Sequence, residues 1–139
     1  MIQTLKVGET HQTKRHITPS DVQAFATVTG DFNPAHFDAA YAATTRFKKP
    51  IVHGMLLGSL FSPIFGMKSP GEGTIYCQQS LTFLKPVYIG EQITIEVTLE
   101  RVDVEKNRAY YRTEILNEAL EIAVTGCAMM MPKKESKHV

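Results

Sequence analysis

The stretch from Ile51 to Met67 limits what this chain can fold into more than any other. Met55, Leu56, Leu57, Leu60, Phe61, Ile64 and Phe65 follow one another with little but Gly54, Gly58, Ser59 and Ser62 between them. A helix that is apolar on every side offers no face to water, so the rest of the chain has to enclose it. At about 13 residues it is too short to cross a membrane, which takes about 20. Pro63 has no amide hydrogen and should bend the segment or loosen its last turn. Ser69-Pro70-Gly71-Glu72-Gly73 closes it with a cluster of turn formers.

The material for an enclosure comes afterwards, where the chain reads as β. Thr74–Lys85 is expected as one strand stopped by Pro86, and Ile89-Gly90-Glu91 as a turn. Ile93, Ile95, Val97 and Leu99 then alternate with Thr94, Glu96, Thr98 and Glu100, the pattern of a half-buried strand. The phase slips by one to Val102 and Val104, which predicts a β-bulge near Arg101. Glu105-Lys106-Asn107 turns the chain, and Arg108–Leu116 and Leu120–Met131 form a hairpin around Asn117-Glu118. Four long antiparallel strands curling around one helix give an α+β fold, a sheet wrapped around a long buried central helix.

Ahead of the helix, a strand is expected around Thr10–Ile17. Thr18-Pro19-Ser20-Asp21 then opens a helix, with Thr18 as cap, Pro19 at the first position and Asp21 completing a box. Val22, Phe25, Ala26 and Val28 supply its apolar stripe, and Gly30 ends it. A second, short helix should cover Asp38–Thr44, capped by Asp38.

At 139 residues the chain suits one domain over 1–139, with the polar Pro132–Val139 as a frayed tail. A formal net charge of +1 argues against an extended nucleic-acid surface. Cys77 and Cys127 sit in apolar runs and read as small buried hydrophobes in a reducing compartment, with an inter-strand disulfide as the alternative. Met1–Lys6 lacks the apolar core of a signal peptide, and no run approaches the length of a membrane span. These features lead us to expect a cytoplasmic protein without a membrane or nucleic-acid partner.

The chemistry concentrates in Thr29-Gly30-Asp31-Phe32-Asn33-Pro34-Ala35-His36. Gly30 tolerates positive φ, and Pro34 fixes its own φ while pushing Asn33 out of the α region. A rigid, non-helical corner should therefore present a carboxylate, an amide and an imidazole to one side, a set suited to acid–base work. Each residue alone also has an ordinary reading: Asp31 as a turn residue, Asn33 as an Asx-turn, His36 as a partly buried, satisfied histidine. It is their joint spacing that favours chemistry.

That corner, followed by His53-Gly54-Met55 at the head of the apolar helix, resembles the signature of the MaoC-like (R)-specific enoyl-CoA hydratases and dehydratases. The resemblance implies a hot-dog fold over roughly residues 10–131. It makes Asp31 and His36 a catalytic dyad gripping one water, and the Gly54 N–H a donor to the thioester oxygen. Asn33 would hold the loop or orient a catalytic side chain, and Ser62 would lie near the site, with helix packing as its other role. His53 has the weakest case for touching the ligand. Ala35 departs from the family, whose members usually carry a larger aliphatic residue there. The resemblance implies an acyl-CoA or acyl carrier protein thioester as substrate and a homodimer; no cofactor is expected, and no metal, since the histidines lack a helical HxxxH-type spacing. The basic connector Arg46-Phe47-Lys48-Lys49-Pro50 is either a solvated loop or a phosphate contact, and Lys48, Lys49 and Lys85 could meet phosphates of either carrier. The competing readings are a 3-hydroxyacyl carrier-protein dehydratase, an acyl-CoA thioesterase of the same fold, a non-catalytic acyl-CoA binding module, and a metal site built from Asp31, His36 and His53.

Overall fold

The period-two alternation of the second half of the chain produces a six-stranded antiparallel sheet in the computed structural model, which describes residues 1–134. Its strands are β1 (Thr10–His16), β2 (Ile75–Gln79), β3 (Thr82–Phe83), β4 (Gln92–Asp103), β5 (Arg108–Leu116) and β6 (Ile122–Met131). They lie in the order β1-β4-β5-β6-β2, with β3 also paired to β6. Ile93, Ile95, Val97 and Leu99 of β4 are all buried. The phase slip is the expected bulge: Leu99 faces Tyr111, Arg101 faces Tyr110, and Glu100 has no partner on β5. Asn107 turns the following hairpin with φ at 56°.

The expected single strand over Thr74–Lys85 is instead two pieces, β2 and β3, interrupted at Ser80 and Leu81. Hydrogen bonds to β6 stitch the interruption in place: the Ser80 N–H donates to the Cys127 carbonyl (2.8 Å), and the Cys127 N–H donates to Ser80 Oγ (2.9 Å). Gly126 makes this crossing possible, because a β-carbon there would fall inside contact distance of the Ser80 carbonyl oxygen. Leu81 is thereby turned onto the central helix, where a β-carbon on Gly58 would come within 2.6 Å of its side chain.

Ile51–Met67 is not one continuous helix. An α-helix, α3, covers only Gly54–Ser59, and a π-helical turn follows at Ile64–Lys68. Pro63 is the physical cause, since it cannot donate to the carbonyl four residues back. The chain tightens first, with the Leu60 N–H on the Leu57 carbonyl, and then widens, with the Ser69 N–H on the Ile64 carbonyl. The inner side, Leu56, Leu57, Leu60, Phe61, Ile64 and Phe65, is buried in one core with β4, β5 and β6. Enclosure on all sides is not what the single chain provides, because Met55 and Met67 are 61% and 83% exposed.

The helix α1 (Pro19–Thr29) opens on the expected capping box. Thr18 Oγ1 accepts from the Asp21 N–H (3.1 Å), and the Asp21 carboxylate accepts from the Thr18 N–H (2.9 Å). That backbone bond is the main reason the Asp21 carboxyl is held below its ordinary range. Val22 and Ala26 are buried and Phe25 packs against the core, but Val28 is 85% exposed and does not belong to the stripe. It lies six positions beyond Val22, well round the helix from the buried face. The short α2 (Ala39–Ala43) carries Asp38 as its cap.

Two further expectations need correcting. Cys77 is half-buried and Cys127 exposed, both as free thiols rather than buried hydrophobes. Cys77 occupies the bulge between Tyr76 and Gln78, outside the ladder that would have set its face. Pro132 is not frayed: it is buried, and its carbonyl accepts from Asn107 Nδ2 (2.8 Å). The rest of the proposed tail from residue 135 lies outside the described residues. Among the described residues no helix is long and apolar enough to cross a membrane.

Because β3 carries one wall of the site described below, Gly126→Ala should be costly. Overpacking at a backbone crossing predicts a loss of about 2–3 kcal/mol, readable in urea unfolding. A change within about 0.5 kcal/mol, the scale of an ordinary surface substitution, would show that the crossing is not needed.

Candidate active site

The corner after α1 is built almost entirely from short-range hydrogen bonds. Gly30 takes φ of 82° and donates to the Ala26 carbonyl (2.7 Å), ending the helix. Thr29 Oγ1 accepts from the Asp31 N–H (3.2 Å), Asp31 Oδ1 from the Asn33 N–H (3.1 Å), and Asn33 Oδ1 from the Ala35 N–H (3.0 Å). Each polar side chain thus braces the backbone two residues away. The corner is not wholly non-helical, since Pro34–His36 form one 3₁₀ turn capped by Asn33. Of the two roles open to Asn33, this geometry supplies loop-holding.

His36 is nearly buried, and its Nδ1 lies 2.6 Å from the Ile51 carbonyl. A carbonyl only accepts, so Nδ1 carries the hydrogen and the neutral ring leaves its Nε2 lone pair free. The Ile51 N–H returns a bond to the Ala35 carbonyl (3.1 Å), clamping the corner to the segment that leads into α3. That segment is itself fixed from behind, with the Val52 N–H on the Val87 carbonyl (2.8 Å) and the Tyr88 hydroxyl on the Phe47 carbonyl (2.7 Å).

Asp31, His36 and Gly54 line one cleft of about 400 Å³. One carboxylate oxygen of Asp31 and one ring nitrogen from each of His36 and His53 lie within 4.8 Å of one another. A water making two hydrogen bonds of about 2.8 Å spans roughly 4.5 Å between its partners, so such a spacing suits a shared water. Gly54 opens α3, and a β-carbon there would come within 2.8 Å of the Phe83 ring. A glycine is therefore what allows β3 to close over the helix start. Arg46 and Lys85 also line the cleft. Lys85 pairs with Glu121, and the hydrogen bond from its ammonium holds that carboxyl below its usual range. Lys48 and Lys49 are exposed, with the Lys49 ammonium 4.7 Å from the centre of the Tyr88 ring.

Two placements differ from what the sequence suggested. Ser62 is exposed and does not line this cleft, because the break in the central helix leaves it on the outer side. His53, which had the weakest case, is 2% exposed and at the centre of the cluster. Its Nε2 donates to the Asp31 carbonyl (3.0 Å), and its ring stacks on His36 with centroids 3.7 Å apart. The signal available in the sequence was a lone imidazole at the head of an otherwise apolar run. The same bond bears on metal binding. While that bond is made, His53 Nε2 carries a hydrogen and has no lone pair to give a metal ion.

An antiparallel sheet packed on a broken central helix, with a carboxylate and an imidazole at the mouth of that helix, defines a hot-dog fold. The chain belongs to the MaoC-like domain family, which it matches over residues 3–120. It is 44% identical over 128 residues to the (R)-specific enoyl-CoA hydratase of Aeromonas caviae, covering 92% of this chain and 96% of that protein. The solved structure of the A. caviae (R)-hydratase involved in PHA biosynthesis superposes with a TM-score of 0.92, covering 94% of this chain and 99% of that one. An (R)-hydratase from Pseudomonas aeruginosa, 42% identical, superposes with a TM-score of 0.90 over 96% of this chain and 86% of that one. A mitochondrial 3-hydroxyacyl-[acyl-carrier-protein] dehydratase of Solanum lycopersicum is 39% identical over 129 residues, 91% of this chain and 77% of that protein.

Proposed function

We propose that this protein is an (R)-specific enoyl-CoA hydratase, a hydro-lyase that reversibly adds water to trans-2-enoyl thioesters to give (R)-3-hydroxyacyl thioesters. The observation that carries the reading is the Asp31 carboxylate and the His36 imidazole lining one cleft at a separation one water can bridge. The likeness to the A. caviae and P. aeruginosa hydratases supports it.

The mechanism follows from the hydrogens. The Asp31 carboxylate and the neutral His36 Nε2 are both acceptors, so a water between them donates to both and points its oxygen lone pairs outward. The thioester withdraws electrons from its double bond, leaving C3 open to that oxygen. As the C3–O bond forms, the pair takes one proton from the water and the double-bond electrons move toward the thioester oxygen. The Gly54 N–H receives that charge. A proton held by the pair then passes to C2, so the site ends as it began and the reaction runs either way. Each acid–base contribution is worth about 10²–10⁴-fold and an oxyanion donor about 10²–10³-fold.

A carrier-protein substrate is the second reading, supported by the S. lycopersicum relative and by exposed Lys48 and Lys49, which follow the cleft-lining Arg46 and Phe47 in sequence. We assign Arg46 and these lysines to the phosphates of the carrier arm. No cofactor enters this scheme, and the working compartment is the cytoplasm, in keeping with two free thiols.

The same reading makes the protein a homodimer. Met55, Phe83 and Leu84 are exposed apolar residues that line the cleft, and a second copy would cover them. Light scattering on the purified chain should give twice its 15.5 kDa mass. A monomer at micromolar concentration would refute the dimer.

Crotonyl-CoA should lose its enoyl absorbance without releasing thiol, and chiral analysis should find the (R)-3-hydroxy product. Asp31→Asn and His36→Ala should each lower kcat more than about a hundredfold while leaving the folded state intact. Thiol release with the double bond preserved would make the protein a thioesterase instead, and a variant with near-full activity would remove that residue from the mechanism.

A further inference from the structure

His53 is a buried polar ring that its own helix does not use. It stands at the N-cap of α3, yet its side chain caps no N–H, and its Nδ1 is buried without a partner. Burying a polar group unpaired is costly, so the ring has to contribute elsewhere. Two contacts show where. Nε2–H reaches back 22 residues to the Asp31 carbonyl, and the ring face lies against His36 at an interplanar angle of 27°. Phe25 packs against the same ring at 4.9 Å between centroids.

The hydrogen bonds of the corner make this significant. Its His36 end is clamped to Ile51 by two bonds. Its Asp31 end is tied locally, to Thr29 and Asn33, and among the described residues the His53 bond is its one hydrogen bond to a distant element. The Asp31 side chain is also 50% exposed, so packing does little to fix it. One ring therefore touches both halves of the pair, the Asp31 main chain by a hydrogen bond and the His36 imidazole by its face.

We infer that His53 is a positioning residue that fixes the distance between the Asp31 carboxylate and His36 Nε2. The inference rests on the hydration reading for its kinetic part only. A displacement of about 1 Å between reacting groups can cost 10²-fold, so loosening this clasp acts on turnover rather than on substrate affinity.

Two variants separate the contacts. His53→Phe keeps a ring against His36 and removes the donor; His53→Gln can place an amide N–H near the Nε2 position and removes the ring. With crotonyl-CoA, His53→Phe should lower kcat about 10–100-fold with KM changed less than about threefold. His53→Gln should recover part of that loss. Placed on Asp31→Asn, His53→Phe should cost less than about a further twofold, since the group it positions is already gone. Hydrogen exchange over residues 31–36 needs no substrate, and His53→Phe should speed it at least about tenfold while amides of β4 and β5 keep their protection. Unchanged exchange in the corner, or a kcat loss that multiplies fully with Asp31→Asn, would overturn the inference. An inert wild type whose corner still loosens in His53→Phe would sink the hydration reading and leave the clasp standing.

Discussion

Two hydrogen bonds between the corner and Ile51 hold the site to the rest of the molecule. The Ile51 N–H meets the Ala35 carbonyl and the Ile51 carbonyl meets His36 Nδ1. Each is worth only about 1 kcal/mol net, but together they set the tautomer of His36 and the direction of its free nitrogen. They also bring the exit of α1 against the entry of α3, although residues 30–53 separate the two in sequence. Without them a carboxylate and an imidazole would share a loop but not a cleft.

The core makes that clamp rigid. Leu56, Leu57, Phe61, Ile64 and Phe65 are packed against β4, β5 and β6, so the start of α3 cannot shift without disturbing the sheet. The wall opposite comes from β3, drawn onto the helix because Gly54, Gly58 and Gly126 leave room for Phe83, Leu81 and Ser80. Three missing side chains thus shape the cleft as much as those that line it.

Much of this was legible because it is local. Thr18 and Asp21, Gly30, and the spacing of Asp31, Asn33 and His36 act over two to five residues, where chain geometry alone decides the outcome. The bulge at Glu100 showed as a change of phase, and Pro63 as a missing donor. What could not be read depends on partners far along the chain. Nothing near His53 announces Asp31 as its acceptor, and nothing near Ser80 announces that Gly126 will let the strand break there. Ser62 was drawn toward the site by the resemblance and not by its own surroundings, and Cys77 looked buried only while its strand was imagined regular.

The central claim is that one water, held by Asp31 and His36, faces C3 of an enoyl thioester. Its most direct test is a crystal structure of the Asp31→Asn protein with crotonyl-CoA bound. The account predicts the thioester oxygen within hydrogen-bonding distance of the Gly54 N–H, and a water touching both the residue-31 side chain and His36 Nε2 with C3 as its nearest carbon. A ligand that instead turns its carbonyl carbon to that water, or that places C3 away from His36, would contradict it.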